Sequence, residues 1–428
     1  MEKIIYTKAA ELEALIARPS MDRESLDKIV RIIFDEVFRK GDAAINKYTY
    51  FYDGVTMSDL RVSQEEIDAS EQLVDETLKA AMAIAKENIE KFHGAQLLQG
   101  SKVETTSGVT CWEKSVGIEK VGLYIPGGSA PLFSSVLMLA VPARLAGCRE
   151  IVLCTPPQKD GLINPAILYA AKLAGVTKVF KAGGIQAIAG MTYGTESIPK
   201  VYKIFGPGNQ YVTAAKMAAF SEGVAIDMPA GPSEVMMVAD DSAIPSFVAA
   251  DLLSQAEHGE DSQVILVSIA GAKLTEIEEE LQKQLQSLPR KEIAQKALEK
   301  SRIVIAQNEQ EVLTIINMYA PEHLILSVGN SDYLAQNVVN AGSVFIGNFT
   351  PESAGDYASG TNHTLPTNGF AKSYGGISVE SFTKKIFFQE ITRDGIQNLG
   401  KVIEVMAENE QLIGHKRGVS IRLEYLQR

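Results

Sequence analysis

The sequence predicts an α/β protein with two domains that are each built on a parallel β-sheet. Short apolar runs alternate with helix-like stretches, and the alternation occurs in two series. A segment rich in proline and glycine, Met228–Glu234, separates the two series. Strands that alternate with helices at this spacing are typical of parallel βαβ units. At 428 residues the chain also exceeds one ordinary hydrophobic core, which favours several domains.

The predicted elements follow in order. The first hundred residues are predicted to be helical, with Ser63 and Glu66 at the spacing of a capping box. The first series has strands at Val121–Ile125, Ile151–Cys154, Lys178–Phe180 and Val201–Phe205, and helices such as Ile163–Ala174 and Gln210–Phe220. The second series has strands at Glu234–Val238, Val264–Ile269, Ile303–Ala306, Leu324–Val328 and Val344–Ile346. The tail after about Gly376 is predicted to be mainly helical.

Composition argues against several classes of protein. The net charge of −12 disfavours a nucleic-acid partner, and the longest apolar run, near Val136–Ala143, is too short to span a membrane. Charges interrupt the first residues, which therefore do not resemble a signal peptide. Three cysteines, Cys111, Cys148 and Cys154, do not make a disulfide framework. These features predict a cytoplasmic protein, with Cys148 and Cys154 buried rather than catalytic.

Histidine is rare, and four of the five histidines lie in the second half of the chain. His93 ends an N-terminal helix, where a role at the helix C-terminus or in solvent is predicted. Gln255 and His258 are three residues apart and are expected on one helical face. An amide oxygen and an imidazole placed in this way can bind one metal ion, whereas a surface or capping role is the alternative.

Two further segments carry polar groups suited to chemistry. Glu322 and His323 together supply the general bases that deprotonation of an alcohol and activation of water require. Adjacent strand residues point to opposite faces, so the two share a site only if Pro321 distorts the backbone. The segment Glu352–Gly369 is predicted to be a long polar loop carrying Asp356 and His363, either functional or merely solvated.

The helical tail carries Glu410 and His415, which in isolation are typical of a solvated face. Taken with the segments above, two imidazoles, a carboxylate and an amide oxygen form a mixed nitrogen and oxygen set that suits zinc. No thiolate belongs to this set. An open catalytic zinc site is therefore favoured over a closed structural one.

Three glycine turns follow predicted strands and are candidates for binding a dinucleotide. They are Ile125–Pro131 (IPGGSAP), Ala182–Ala187 (AGGIQA) and Gly206–Tyr211 (GPGNQY). None has the full G-x-G-x-x-G pattern; GPGNQY supplies two of its glycines but has Tyr211 in place of the third. Each turn can bring backbone N–H groups to a pyrophosphate, or it can simply connect two elements.

Taken in order, these segments resemble the histidinol dehydrogenase family over nearly the whole chain. The motifs that carry the resemblance are GLYIPGGSAPLFSSVLMLAVPARLAGC, KIFGPGNQYVTAAK, AIDMPAGPSEV, DLLSQAEHGEDSQVIL, APEHL, GDYASGTNHTLPT and the terminal E-x-L-x-x-H. Long motifs in the family order make this a specific resemblance.

The resemblance implies a role for each residue that matches a family position. One Zn²⁺ per subunit is expected on Gln255, His258, Asp356 and His415. Glu322 and His323 are expected to be the two bases. The substrate is expected to contact Ser233, Gln255, His258, His323, Asp356, His363, Glu410 and His415. NAD is expected to contact Tyr124, Gln186 and Asn209.

The resemblance also implies a fold of two incomplete Rossmann-like domains, with a helical N-terminal segment and a helical tail exchanged in a homodimer. The expected domains are an N-terminal segment (1–25), a zinc and catalytic domain (26–117 and 233–376), a dinucleotide-binding domain (118–232) and the tail (377–428). Glu410 and His415 are then expected to complete the active site of the partner subunit.

The implied activity is zinc-dependent oxidation of L-histidinol to L-histidine, through L-histidinaldehyde and with two NAD, at the end of histidine biosynthesis. No membrane or nucleic-acid partner is expected. Three alternatives remain open: a related dehydrogenase of another small alcohol, a zinc hydrolase, and a non-enzymatic dimer that binds zinc or a nucleotide.

Overall fold

The computed structural model describes residues 1–6, 9–18, 23–97, 100–127, 130–229 and 231–428, which divide into two compact units. The first unit comprises Met1–Gly94 and Ile118–Phe382, and the second comprises Ala95–Gly117 and Thr383–Arg428. Gly128 and Ser129 of the IPGGSAP turn and Ala230 of the MPAGPSE segment lie outside the described residues.

The strands and helices of the described residues alternate along most of the chain. The strands are β1 (Glu2–Ile5), β2 (Val103–Thr106), β3 (Val109–Gly117), β4 (Lys120–Tyr124), β5 (Glu150–Thr155), β6 (Lys178–Lys181), β7 (Lys203–Phe205), β8 (Ala225–Ile226), β9 (Glu234–Ala239), β10 (Gln263–Ile269), β11 (Arg302–Ala306), β12 (His323–Ser327), β13 (Ser343–Ile346) and β14 (Thr383–Ile391). The helices are α1 (Ala9–Leu15), α2 (Arg23–Lys40), α3 (Asp42–Asp53), α4 (Gln64–Leu73), α5 (Glu76–Gly94), α6 (Phe133–Leu145), α7 (Pro165–Ala174), α8 (Gly184–Tyr193), α9 (Gln210–Ser221), α10 (Pro245–Ala256), α11 (Leu274–Ser287), α12 (Lys291–Glu299), α13 (Glu309–Tyr319), α14 (Ser331–Asn337), α15 (Glu352–Tyr357), α16 (Arg393–Asn409) and α17 (Ile413–Leu426). Short 3₁₀ turns occur at Phe370–Lys372 and Val379–Phe382.

Two parallel sheets organise the first unit. One has the order β6-β5-β4-β7-β8, and the other has the order β1-β11-β10-β9-β12-β13. All the pairs within these two sheets are parallel. The predicted α/β fold with parallel sheets is therefore confirmed. The strands of both predicted series form at or within a few residues of their expected positions.

Each parallel sheet buries both of its faces under helices. In β9, Val235 and Met237 pack into one core with α10, α11 and α12, while Met236 and Val238 pack into another with α1, α13 and α14. The other sheet divides in the same way between α4–α7 on one face and α2, α3, α8 and α9 on the other. Successive strand side chains point to opposite faces, so a strand covered on both sides has to be apolar throughout.

Two regions near the termini that were predicted to be helical each include one strand as well. The N-terminal segment is not wholly helical, because Glu2–Ile5 forms β1, which pairs in parallel with β11. The tail is mainly helical, as predicted, since it contains α16 and α17, but Thr383–Ile391 forms β14. Both strands depend on partners distant in the sequence, which a local pattern does not reveal. The capping box of Ser63 and Glu66 is confirmed.

His93 lies in the last turn of α5, as predicted, but it is fully buried rather than solvated. Its Nδ1 atom lies 3.0 Å from the Ile89 carbonyl oxygen, one turn back on α5. Burial lowers the pKa of this imidazole, so its role is to pack as a neutral side chain.

The second unit is built on an antiparallel sheet. Strand β14 pairs with β3 along its whole length, and β2 pairs with the other edge of β3. Helix α16 follows β14, and the Thr392 hydroxyl oxygen caps it by accepting a hydrogen bond from the Gly395 N–H. Helices α16 and α17 pack against each other.

Cys111, Cys148 and Cys154 are free thiols, of which Cys154 is fully buried and Cys148 is half-buried. Burial raises the pKa of Cys148 to about 12, which makes it a poor nucleophile. None of the helices in the described residues combines the length and the apolar character that crossing a membrane requires.

Candidate active site

A cavity of about 290 Å³, here called the small cavity, lies in the first unit and has many polar groups in its wall. Seven of the residues expected to be bases, zinc ligands or substrate contacts line it: Ser233, Gln255, His258, Glu322, His323, Asp356 and His363. They lie just before β9, at and just beyond the end of α10, at the start of β12, and in the segment that follows β13. In parallel α/β folds such crevices at strand ends are where ligands bind.

Gln255 and His258 reach the small cavity from the end of α10. Gln255 is on the last turn of the helix, whereas His258 lies just beyond it, where its backbone N–H donates to the Gln255 carbonyl oxygen. Gln255 is fully buried, and neither its Oε1 nor its Nε2 atom has a hydrogen-bond partner in the described part of the chain. A buried amide without partners is costly, which indicates that a ligand completes this site.

Glu322 and His323 share one site because β12 begins only at His323. Ala320 adopts a left-handed conformation (φ 55°), so the chain turns sharply just before Pro321. Glu322 thus precedes the strand, and its Oε2 atom lies 3.6 Å from Nδ1 of His323. The Glu322 carboxylate also accepts a hydrogen bond of 2.9 Å from the backbone N–H of Glu234. Both side chains are buried.

The segment predicted to be a polar loop begins as a short helix, α15, which carries Asp356. Oδ1 of Asp356 lies 3.6 Å from Nε2 of His323. His363 lies further along the segment and is held at both ring nitrogens. Its Nδ1 atom donates to the Asp356 carbonyl oxygen at 2.8 Å, which leaves Nε2 to accept from the Ser135 hydroxyl at 3.0 Å.

Glu352, at the first position of α15, adds a carboxylate that sequence reasoning missed. Its Oε1 atom lies 3.6 Å from Nδ1 of His323, and its Oε2 atom is buried without a hydrogen-bond partner in the described residues. Ligand atoms of Glu352, His258 and Asp356 all lie within 4.8 Å of one another. Nothing in the sequence marks Glu352, because the tertiary fold alone brings it to His323.

Three carboxylates crowd around His323 in the wall of the small cavity and beside it. Burial would lower the pKa of His323, but the facing carboxylates of Glu352, Glu322 and Asp356 raise it to about 10. Burial raises the pKa of Glu322 to about 8 and that of Glu352 to about 8. Carboxylates crowded in a buried site favour the binding of a cation.

The donor set at the small cavity fits zinc. Imidazole nitrogen and carboxylate oxygen are common zinc ligands, and the Gln255 amide, which has no hydrogen-bond partner in the described residues, adds an oxygen. A divalent cation near Asp356 would also offset the carboxylates and return the pKa of His323 toward its ordinary value. The residues that the first unit brings together therefore fit a catalytic metal site.

A second cavity of about 840 Å³, here called the large cavity, lies in the same unit at the edge of the sheet that contains β4. Tyr124, Gln186 and Asn209 line it. The N-terminal ends of α8 and α9 also border it at Gly184 and Asn209, so backbone N–H groups are available to an anionic ligand. Pro126 and Asn209 line both cavities, so the large cavity and the small cavity lie side by side.

The turn at Gly206, which follows β7, passes close to the end of β4 at Tyr124. Gly206 has a φ of 138°, and a Cβ atom at this position would lie 2.1 Å from the Tyr124 carbonyl oxygen. Glycine is therefore required here. A buried ion pair between Lys216 and Asp227 supports the turn, since Lys216 also donates to the Gly206 carbonyl oxygen at 3.0 Å.

Comparison with known proteins decides the family. A family model described as histidinol dehydrogenase matches residues 16–423. The histidinol dehydrogenase of Bacteroides thetaiotaomicron is 59% identical over 426 residues, and that of Bacteroides fragilis is 56% identical over 428 residues, with 100% of each chain covered in both cases. The crystal structure of histidinol dehydrogenase from Elizabethkingia anophelis matches with a TM-score of 0.97 at 54% identity, covering 100% of this chain and 99% of that chain.

The chain belongs to the histidinol dehydrogenase family. The predicted resemblance is therefore confirmed, and so is the predicted class of enzyme, an NAD-linked oxidoreductase of histidine biosynthesis.

Two residues that the histidinol dehydrogenase motifs select do not belong to the first unit. Glu410 lies at the end of α16 and His415 lies in α17, both in the second unit, and both are exposed. The cluster of site residues in the first unit is thus assembled without them. Their proposed place in the site requires a contribution from the tail.

The fold also forms a polar network around Glu234 that the sequence analysis did not predict. The Arg18 guanidinium holds the buried Glu234 carboxylate with hydrogen bonds of 2.5 and 2.7 Å, and it stacks on the Tyr319 ring at 3.8 Å. The backbone of Glu234 contacts both Glu322 and His323. Arg18 therefore fixes the strand end that positions these two side chains.

Proposed function

We propose that the chain catalyses the four-electron oxidation of L-histidinol to L-histidine, through L-histidinaldehyde, with zinc and two molecules of NAD. The observation that carries this proposal is the small cavity, in which two bases and a set of metal-binding donors lie together beside the large cavity. The small cavity suits a small polar alcohol, and the large cavity has the size and the helix ends that suit a dinucleotide.

Gln255, His258 and Asp356 would hold one zinc ion per subunit, with His415 supplied by the tail of a second subunit. When bound, the ion supplies positive charge and positions the substrate next to the bases. The partnerless amide of Gln255 and the grouping of His258 with Asp356 support this assignment. Glu352 lies in the same group and is a further candidate ligand.

His323 is the proposed base of both oxidation steps. Its Nδ1 atom lies 3.3 Å from the Glu234 carbonyl oxygen, which accepts only, so Nδ1 carries the hydrogen in the neutral ring. Nε2 is then free to accept a proton, and it has no hydrogen-bond partner in the described residues. Nε2 takes the proton of the substrate hydroxyl while hydride passes to NAD from the carbon that bears this hydroxyl. A general base in such a role typically contributes about 10²–10⁴-fold to the rate.

Glu322 is the proposed base of the second stage, in which water adds to the aldehyde. The Glu234 N–H holds one carboxylate oxygen and leaves the other to take a proton from water. The hydroxyl of that water adds to the aldehyde carbon, and the aldehyde oxygen takes the proton that His323 gained in the first oxidation. This gives the hydrate and returns His323 to its neutral form. His323 removes the proton of that hydroxyl as the second hydride leaves, which yields the carboxylic acid.

Ser233, His363 and Glu410, together with the zinc ligands and His323, would bind the substrate. Ser233 and His363 line the small cavity. Tyr124, Gln186 and Asn209 would bind NAD. The buried Gln186 Oε1 atom has no partner in the described residues, while Oδ1 of Asn209 caps α9 and leaves its Nδ2 group to donate to the cofactor.

The proposed assembly is a cytoplasmic homodimer in which the tails (377–428) are exchanged and each site draws on both subunits. The other proposed domains are an N-terminal segment (1–25), a zinc and catalytic domain (26–117 with 233–376) and a dinucleotide-binding domain (118–232). The last two are proposed to be incomplete Rossmann-like domains. Exposure of Glu410 and His415 supports a role for them outside their own unit. Mixing His323→Asn subunits with His415→Asn subunits should restore activity in heterodimers, and failure in proven heterodimers would contradict shared sites.

The test of the proposed function is NADH formation from L-histidinol before chelation, after chelation and after zinc is restored. Two NADH per histidinol, lost on chelation and regained with zinc, is the expected result. One NADH per histidinol would mean that the reaction ends at the aldehyde. No NADH from a folded, zinc-loaded dimer would contradict the proposal.

A further inference from the structure

Asp53 is the one charged residue among the described residues that line the large cavity. It is the last residue of α3, and it lies on the same wall as Tyr52 and Ile29. Its Oδ2 atom is buried and has no hydrogen-bond partner in the described part of the chain. Burial raises the pKa of this carboxyl to about 6. A desolvated carboxylate without a partner costs free energy, and a ligand that donates hydrogen bonds would remove that cost.

We propose that Asp53 binds the hydroxyl groups of the adenosine ribose of NAD and thereby excludes NADP, which carries a phosphate on that ribose. This inference rests on the proposed function, because it takes NAD as the oxidant. It adds a residue that determines cofactor specificity to the residues already proposed to bind NAD.

The position of Asp53 points to the adenosine end of the cofactor. Hydride transfer requires the nicotinamide to reach the small cavity, which adjoins the large one at Pro126 and Asn209. Ile29, Tyr52 and Asp53 line the large cavity but not the small one. The wall formed by α2 and α3 is therefore left for the other half of the dinucleotide.

Asp53 is also close to the glycine turns that would hold the pyrophosphate. Burial raises the pKa of Tyr124 to about 12, and the charge of Asp53 contributes to that rise. The Tyr124 hydroxyl accepts a hydrogen bond of 3.0 Å from the Gly184 N–H at the start of α8. Asp53 and this helix end line the same cavity, and in a dinucleotide each ribose is joined directly to a phosphate.

The charge of the cavity explains the expected selectivity. A carboxylate accepts hydrogen bonds from both ribose hydroxyls, and charge-assisted bonds of this kind are strong. No lysine or arginine is present among the described lining residues to neutralise a 2′-phosphate. NADP would therefore place a phosphate beside Asp53 without a compensating cation.

Sequence patterns for dinucleotide binding do not reveal this residue. In Rossmann-type folds the acidic residue that binds the ribose follows the glycine motif by about 20 residues. Asp53 instead precedes β4 and all the glycine turns, and it comes from a helix that packs beside the sheet. The chemistry of the acidic residue is the same, but a different part of the chain supplies it.

The test compares Asp53→Asn and Asp53→Ala with the wild-type enzyme, using L-histidinol with NAD and then with NADP. The KM for NAD should rise about 10- to 100-fold, as expected for the loss of hydrogen bonds to a charged group. The preference for NAD over NADP should fall by about 10-fold or more on the same grounds. The KM for histidinol and the zinc content should stay unchanged. Asp35→Asn, which removes an exposed carboxylate from α2, is the matched control.

Binding of NAD and NADP by calorimetry gives a measurement that does not depend on turnover. Both Asp53 variants should remain folded, because they remove a carboxylate that no described group pairs with. Unchanged affinity for NAD and unchanged preference over NADP in a folded Asp53→Asn variant would overturn the inference while the proposed function stands. Failure of the wild-type enzyme to reduce NAD with histidinol would instead contradict the proposed function.

Discussion

The large and small cavities adjoin each other, yet their walls differ sharply in charge. Histidines, carboxylates and a buried lysine line the small cavity. Three carboxylates, those of Glu322, Glu352 and Asp356, each lie 3.6 Å from a ring nitrogen of His323. In the large cavity, Asp53 is the one charged group among the described lining residues. Asn209 and Pro126 belong to both walls.

The difference shows how the two tasks divide between the cavities. Proton transfer and metal binding need titratable groups held close together, and the small cavity supplies them. Binding of a dinucleotide needs backbone N–H groups and neutral donors, and the large cavity supplies them at the ends of α8 and α9. A substitution in one cavity should therefore affect one task and spare the other.

The largest effect should come from His323→Asn. Loss of the base should lower turnover of both L-histidinol and L-histidinaldehyde by about 10²–10⁴-fold. NAD affinity should not change, because His323 does not line the large cavity. Steady-state assays with each substrate and calorimetry with NAD check this. An equal loss of NAD affinity would mean that the two cavities do not divide the tasks.

Gln255→Ala should have an intermediate effect, through the metal. Loss of a ligand should weaken zinc binding by more than the roughly 10- to 100-fold typical of residues that only support ligands. Activity should then fall at low zinc and recover in excess zinc. Zinc content after dialysis measures the change, and Gln282→Ala, an exposed glutamine on α11, is the control. Full zinc occupancy in the variant would remove Gln255 from the site.

The smallest effect on turnover should come from Arg18→Met, which acts mainly on stability. It leaves the buried carboxylate of Glu234 without its partner, and breaking a buried pair typically costs about 3–5 kcal/mol. Turnover should fall less than in the His323→Asn and Gln255→Ala variants, because the backbone of Glu234 rather than its side chain contacts the two bases. Chemical denaturation measures the stability, and adding Glu234→Gln should recover most of it. No recovery in the double variant would mean that Arg18 acts through other contacts.

The sequence predicts the parallel strands well because each is short, apolar and buried on both faces, as β9 shows with Val235 to Val238. It fails for β14, whose nine residues are nearly all exposed and alternate too weakly to indicate a strand. That strand is specified by its pairing with β3, which is more than 250 residues earlier in the chain. Local patterns do not contain such information.

The candidate site shows the same limit. His258, Asp356 and the pair Glu322–His323 stand in distinctive segments, and the family motifs select them. Glu352 and Asp53 are not selected by any motif, because only the fold brings Glu352 next to His323 and Asp53 into the wall of the large cavity. The expected placement of Gln255 and His258 on one helical face is also incomplete, since His258 reaches the cavity from a turn beyond α10.

The most direct test of separate roles for the two bases is Glu322→Gln assayed with L-histidinol and with L-histidinaldehyde. Oxidation of the aldehyde, which needs an activated water, should fall by about 10²–10⁴-fold. Oxidation of the alcohol should fall much less, because His323 alone takes that proton. Equal losses in both reactions would contradict the assignment of water activation to Glu322.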